Sequence, residues 1–255
     1  MRIAVLGGKG GVGKTVLSIA LASELGAVLV DADVTEPDTP AYLNLERERD
    51  VTEVRARYAV RTDGCAGCER CLEVCPWRAV DDPIACDGCG ACAIACPEDA
   101  IELRETELGR IAESREPELG LRVVHPETEP WAPELADIVH RMIPEDEDCV
   151  IDCPAGLGCP VIAALSAADA AVLVTSPDPA ALHDYRRAEA LTREFGLPAV
   201  RVLNRAGSDE REGFDVVIPE DERVLRAALD RDPGGLVHAL REPARRVAEL
   251  LPDGG

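Results

Sequence analysis

Residues 8–15 read Gly8-Lys9-Gly10-Gly11-Val12-Gly13-Lys14-Thr15, and this octet decides how the rest of the chain is read. It follows a short apolar run at 2–7 (RIAVLG) and opens onto KTVLSIALASEL at 14–25, which reads as a helix. Strand, glycine loop and helix in that order make a phosphate cradle. The glycines let successive backbone N–H groups converge on phosphate oxygens, and the helix start adds its positive dipole end. The G-x-x-x-x-G-K-[ST] spacing gives Lys14 to the β- and γ-phosphates and the Thr15 hydroxyl to Mg²⁺. Of the 27 Lys and Arg residues, only Lys9 and Lys14 are lysine. Everywhere else the chain uses arginine, a planar fork too bulky for a cradle sized for an ammonium. That accounts for Lys14 and leaves Lys9 to be explained.

Outward from the loop, further short apolar runs stand at 27–31, 149–152, 171–175, 199–204 and 214–218, separated by helical patterns. This alternation predicts an α/β fold, a doubly wound and mostly parallel sheet with helices on both faces. In such sheets ligands sit at the carboxyl ends of the strands. Gly8–Thr15, Asp33, Asp152 and Asn204 all fall at such ends.

A lysine at the second position of the loop, in KGGVGKT, resembles the deviant Walker A of the MinD/ParA family of ATPases. Four further segments carry the same resemblance. LVDADVTEP (29–37) is similar to the family's switch I, and CVIDCPAGLG (149–158) to its Walker B and switch II. VLNRA (202–206) and VIPEDERVLRA (217–227) are similar to segments that follow. The resemblance implies bound ATP and Mg²⁺ and an ATP-dependent homodimer in which Lys9 reaches the partner's phosphates. It implies that Asp33 orients the attacking water, that Asp152 is a catalytic carboxylate, that Asn204 reads the adenine edge and that Pro219 lies at the nucleotide.

The cysteines form a second system. CAGCERCLEVCP (65–76) and CDGCGACAIACP (86–97) are both C-x2-C-x2-C-x3-C-P, repeated with a period of 21 residues. This is the ligand run of a two-cluster bacterial ferredoxin, in which the fourth cysteine serves the other cluster. The expected ligand sets for two [4Fe–4S] clusters are therefore Cys65, Cys68, Cys71 and Cys96, and Cys86, Cys89, Cys92 and Cys75. Two zinc knuckles are the competing reading, disfavoured by the trailing C-x3-C-P. Only ten residues separate Cys75 from Cys86, which implies a trimmed hairpin between the motifs. The whole is similar to MinD-superfamily ATPases with an inserted ferredoxin domain. The expected division is an ATPase domain at 1–60 and 105–255 around a 2[4Fe–4S] insert at 61–104, with 105–130 as short returning strands.

Net charge is −22, with 49 acidic residues against 27 basic ones. Such a surface repels phosphate backbones and anionic headgroups, so neither nucleic acid nor a stable membrane anchor is expected. The acidity reads as a solvated surface suited to high salt, where charges are screened over a few ångströms. Eleven cysteines without a signal segment point to a cytoplasmic chain with metal-ligating thiols. Cys149 reads as a core residue. Cys153 and Cys159 flank switch II and raise the possibility of an interface cluster. The C-terminal stretch from 234 reads as a helix docked on the core and interrupted at Pro243.

The leading expectation is an ATP-hydrolysing iron–sulfur protein that couples a nucleotide-dependent dimer to electron transfer, serving a redox partner or an iron–sulfur client. The alternatives are a cluster-assembly or carrier ATPase and a MinD-like spatial regulator with structural clusters.

Overall fold

The computed structural model of the protein describes residues 1–83, 85–128, 135–207 and 213–252. Nine strands form one sheet in the order β3-β4-β5-β2-β6-β1-β7-β8-β9. Seven of them run parallel: β5 (Leu121–Thr128), β2 (Val28–Asp31), β6 (Cys149–Asp152), β1 (Arg2–Leu6), β7 (Ala170–Thr175), β8 (Ala199–Ala206) and β9 (Val216–Pro219). The central strands are apolar on both faces because helices cover both. In β1, Ile3 and Val5 join one core cluster and Ala4 and Leu6 the other; β7 divides likewise, Val172 and Val174 against Ala171 and Leu173. Side-chain direction alternates along a strand, so each residue type is dictated by the layer it enters.

The helices are α1 (Lys14–Leu25), α2 (Thr39–Tyr42), α3 (Arg70–Val74), α4 (Ala91–Ala95), α5 (Leu135–Met142), α6 (Cys159–Ala167), α7 (Pro179–Glu194), α8 (Glu222–Asp230) and α9 (Pro233–Leu250). α9 lies along α1 and buries Leu236, Leu240, Ala244 and Val247, one stripe at helical spacing. Pro243 does not interrupt it, contrary to the sequence reading. The helix runs straight through, and the buried stripe on either side holds the turn in place despite the lost N–H. Leu240→Ala should therefore cost about 2–5 kcal/mol of stability, read as a lowered denaturant midpoint. No helix among the described residues is long and apolar enough to cross a membrane.

The largest departure from the sequence reading is at one edge of the sheet. β3 (Glu46–Arg61) and β4 (Ile101–Glu116) are long antiparallel strands, where short returning strands were expected from 105 onward and none at 46–61. The first half of β3 is exposed on both faces and shows no apolar period to recognise. Cross-strand ion pairs line it instead: Arg49–Glu113, Arg115–Glu48 and Arg110–Asp50. Among the described residues β4 pairs with β5 as far as Gly109, opposite Thr128, and continues to Ile101 on β3. Gly109 has φ 139°, and a Cβ there would meet the Glu127 carbonyl oxygen at 2.1 Å, so only glycine fits where the strands part. A two-stranded arm of roughly 25 Å thus projects from the sheet.

The described residues of 62–100, the cysteine segment, occupy the end of this arm, beyond the paired Arg61 and Ile101. They carry α3 and α4 and share a small core in which Cys71, Cys86 and Cys92 pack with Ala59, Ala79, Val80 and Ile101.

Candidate functional site

The loop between β1 and α1 is shaped by its glycines. Gly8, Gly11 and Gly13 have φ of 48°, 76° and 94°, in the left-handed region that disfavours other residues. A Cβ on Gly8 would lie 2.6 Å from the Asp184 carbonyl oxygen, and one on Gly13 2.3 Å from the Asn204 Nδ2. The loop's backbone is therefore packed from behind, and its other side opens to a cavity of about 550 Å³. Gly10, Gly11, Gly13, Lys14 and Thr15 line that cavity on one side and Asp33 and Asp152 on another. Asn204 and Pro219 complete it. The structure brings together what the sequence had scattered over two hundred positions.

Lys14 is only 8 % exposed, and its Nζ donates to the Lys9 carbonyl at 3.5 Å. Its ammonium thus sits inside the curl of the loop. Lys9 behaves differently. Its half-exposed side chain leaves the loop and donates to Asp178 Oδ1 at 3.0 Å. Asp178 caps α7, accepting from the Ala180 and Ala181 amides at 3.0 and 2.9 Å, and these donors with Lys9 hold its carboxyl below the ordinary range. Gly8 and Val12, which shape the loop, lie outside the cavity lining.

Two buried carboxylates stand side by side at the strand ends, since Asp31 of β2 and Asp152 of β6 are register partners. Burial pushes both carboxyls up, and the charge of Asp152 adds to the effect on Asp31. Donors oppose it. Ser18 donates to Asp152 at 2.9 Å, with Thr15 as a second donor, and the Thr39 amide and hydroxyl donate to Asp31 at 3.0 and 2.8 Å. Asp31 also accepts from the Asp33 amide, which fixes the start of the following loop. Asp33 in turn accepts from Thr35 Oγ1 and the Glu36 amide, both at 3.1 Å. The sequence reading passed over Asp31, Ser18 and Asp178. The D-x-D at a strand end and the Asp-Pro before a helix were the available signals.

Asn204 is engaged with the loop. Its Nδ2 donates to the Val12 carbonyl at 2.8 Å, and its Oδ1 accepts from the Arg205 amide at 3.0 Å. It therefore braces the loop while also lining the cavity, the place from which the sequence reading has it read the adenine edge.

At the end of the arm, a cavity of about 260 Å³ is lined by Cys65, Cys68, Cys71 and Cys96, three cysteines of the first motif and the fourth of the second. Cys75, conversely, lies with Cys86 near Cys92 in the small core, while Cys89 is exposed. Backbone amides point at sulfur: Ala79 to Cys75, Ala59 and Gly88 to Cys86, each at 3.4 Å, and Ala100 to Cys96 at 3.3 Å. No three His, Cys, Asp or Glu side chains among the described residues gather as a ready-made site for a single metal ion. Outside the arm, burial pushes the Cys149 thiol up to about 12 and Cys153 higher still. Both are core thiols. Of these three, Cys159 is exposed.

A parallel sheet with a glycine loop, a buried lysine and paired carboxylates at its carboxyl ends defines a P-loop nucleotide-binding ATPase. Residues 3–233 match the CobQ/CobB/MinD/ParA nucleotide binding domain, and the chain belongs to that family. An uncharacterized protein of Methanocaldococcus jannaschii is 31% identical over 220 residues, spanning 81% of this chain and 79% of its own. The chloroplastic septum site-determining protein minD homolog of Arabidopsis thaliana is 32% identical over 39% of this chain and 38% of its own. Among solved structures, the cell division ATPase MinD of Pyrococcus furiosus superposes with a TM-score of 0.58 at 20% identity, covering 98% of each chain. MinD of Pyrococcus horikoshii complexed with Mg-ADP gives 0.57 at 23%, over 98% of this chain and 96% of its own. At these identities the two structures speak for the fold.

Proposed function

We propose that the protein is an ATP-hydrolysing switch that carries two [4Fe–4S] clusters on its arm and couples electron transfer to the nucleotide-dependent pairing of two copies. The observation that carries this reading is the cavity bounded by Cys65, Cys68, Cys71 and Cys96. Four thiols surrounding a volume, one of them from the other motif, suit a multi-atom cluster and not a single zinc ion. Amides aimed at sulfur stabilise thiolates and suit the same group. Cys75, Cys86, Cys89 and Cys92 would hold the second cluster. When bound, such clusters accept and release single electrons.

In the nucleotide site, the loop amides from Gly10 to Thr15 and the Lys14 ammonium receive the phosphates, and the Thr15 hydroxyl would hold Mg²⁺ with Asp152 behind it. Asp33 orients water for attack on the terminal phosphate. Lys9, held by a single exposed ion pair worth little, is free to leave Asp178 for the phosphates of a second copy. The Asp33 loop also touches the arm. Thr128 Oγ1 donates to the Val34 carbonyl at 2.8 Å, and Thr128 pairs with Gly109, where the arm departs. A change at Asp33 is thus two residues from the root of the arm.

The likeness of the fold to MinD of cell division favours a second reading, a spatial switch whose cysteines hold no redox centre. Iron content, and whether that iron is reduced by dithionite, decides between them, since clusters that stay oxidised would be structural. Anaerobically purified protein should contain about eight iron atoms per chain, the content of two [4Fe–4S] centres; an iron-free chain leaves the spatial switch. Cys75→Ala should lose the same EPR signal as Cys86→Ala and keep the one lost in Cys65→Ala. The opposite pattern would overturn the crossed ligand sets.

A further inference from the structure

We propose that Arg61 makes the cluster site of Cys65, Cys68, Cys71 and Cys96 the higher-potential of the two, so that it takes the first electron. This rests on the iron–sulfur reading and adds a direction to it.

The two cysteine motifs repeat so closely that their sites would be near equivalents. Charge breaks the equivalence. Four residues before Cys65 stands Arg61, and four residues before Cys86 stands Asp82. Between the first two cysteines of each motif, Ala66 in the first is matched by Asp87 in the second. Glu69 and Glu98 also line the first cavity and oppose the cation, so the asymmetry rests on the one cation among the described residues that is bonded to a ligand sulfur, Arg61, which has no counterpart in the second motif.

The structure directs that cation at sulfur. The Arg61 amide and Nη1 donate to Asp81 at 2.7 and 2.8 Å, which tethers the guanidinium to that carboxylate. Its Nη2 then lies 3.7 Å from the Cys71 Sγ, and the side chain forms part of the cavity wall. Among the described residues no other side chain donates to a cysteine sulfur of the arm; the remaining donors are backbone amides. At the second motif, the Asp82 carboxylate accepts from the Ala85 amide at 3.1 Å, one residue before Cys86. Asp87 is held by Trp77 Nε1 at 2.8 Å.

The step concerned is a one-electron reduction by an external reductant. The cluster gains one negative charge, the reductant loses one electron, and no bond or proton is exchanged. A guanidinium bonded to a ligating sulfur stabilises the reduced form, and nearby carboxylates destabilise it. Asp81 offsets part of the Arg61 charge, so the expected effect is about tenfold in the one-electron equilibrium, about 59 mV.

EPR-monitored potentiometry of the anaerobic full chain, with dithionite as reductant, tests this. Arg61→Met should lower the upper midpoint by about 59 mV and leave the lower one in place, while Arg61→Lys should stay near the parent protein. In Cys75→Ala the surviving midpoint should be the upper one. If Arg61→Met loses iron, Asp87→Asn carries the test and should raise only the lower midpoint. Midpoints that stay put in iron-replete Arg61→Met, or a shift of the wrong one in either variant, would overturn the inference and leave the cluster reading standing. A chain that binds no iron removes both.

Discussion

Replacing Lys14 by arginine should reduce ATP affinity by about 100-fold or more, although the charge is kept. The side chain is buried at 8 % exposure, and its Nζ lies 3.5 Å from the Lys9 carbonyl inside the curl of the loop. A guanidinium is larger and planar, and cannot turn its donors independently toward both loop carbonyls and phosphate. It would displace the loop or leave the cavity. The loop has little room to yield, because Gly8 is pressed against Asp184 and Gly13 against Asn204. Calorimetry with ATP and Mg²⁺ measures the loss. Affinity within a few-fold of the parent protein would mean that this lysine does not meet the phosphates.

Lys9→Ala should separate binding from turnover. Its ammonium lies outside the cavity on the cap of α7, so its removal leaves Lys14 and the backbone amides in place. Affinity for ATP should change by no more than a few-fold. Hydrolysis should fall by about 10³, because a cation supplied in trans to the developing charge is worth that order. The ATP-dependent dimer should be lost in sedimentation. Asp33→Ala gives the opposite phenotype, with ATP bound, the dimer accumulated and turnover slow. A Lys9→Ala protein that dimerises and hydrolyses normally would confine this lysine to its pair with Asp178.

The contrast between these two lysines shows how far the sequence could be read. Lys14 and Thr15 were legible because phosphate chemistry demands fixed residue types at fixed spacing, Asp33 and Asp152 through the family resemblance of their segments, and the sheet brings all four to one cavity. α1 was found at its observed bounds because a glycine loop and a glycine cap enclose it. β3 was not legible. Its first half is held by the backbone ladder to β4 under exposed ion pairs, which leave no apolar period, and Val54, Ala56 and Ala59 are buried only in its second half. Asn204 was placed at the right cavity, and its bond to the Val12 carbonyl was not foreseen, since sequence shows which strand end a residue occupies and not which way its amide turns. Pro243 misled for a related reason. A local rule about helix interiors was outweighed by the stripe of α9 packed on α1, visible only after folding.

The way the chain enters and leaves the arm has a consequence for its history. Arg61 and Ile101 are paired neighbours on adjacent antiparallel strands, so the segment between them begins and ends at almost the same point. A hairpin turn could stand in its place with every strand of the sheet in register. Acquiring or shedding such a cassette requires no rearrangement elsewhere, so one recombination event suffices to bring in all the cysteines of the arm. By the same logic, the cassette can be transplanted to any protein that offers two adjacent antiparallel strand ends.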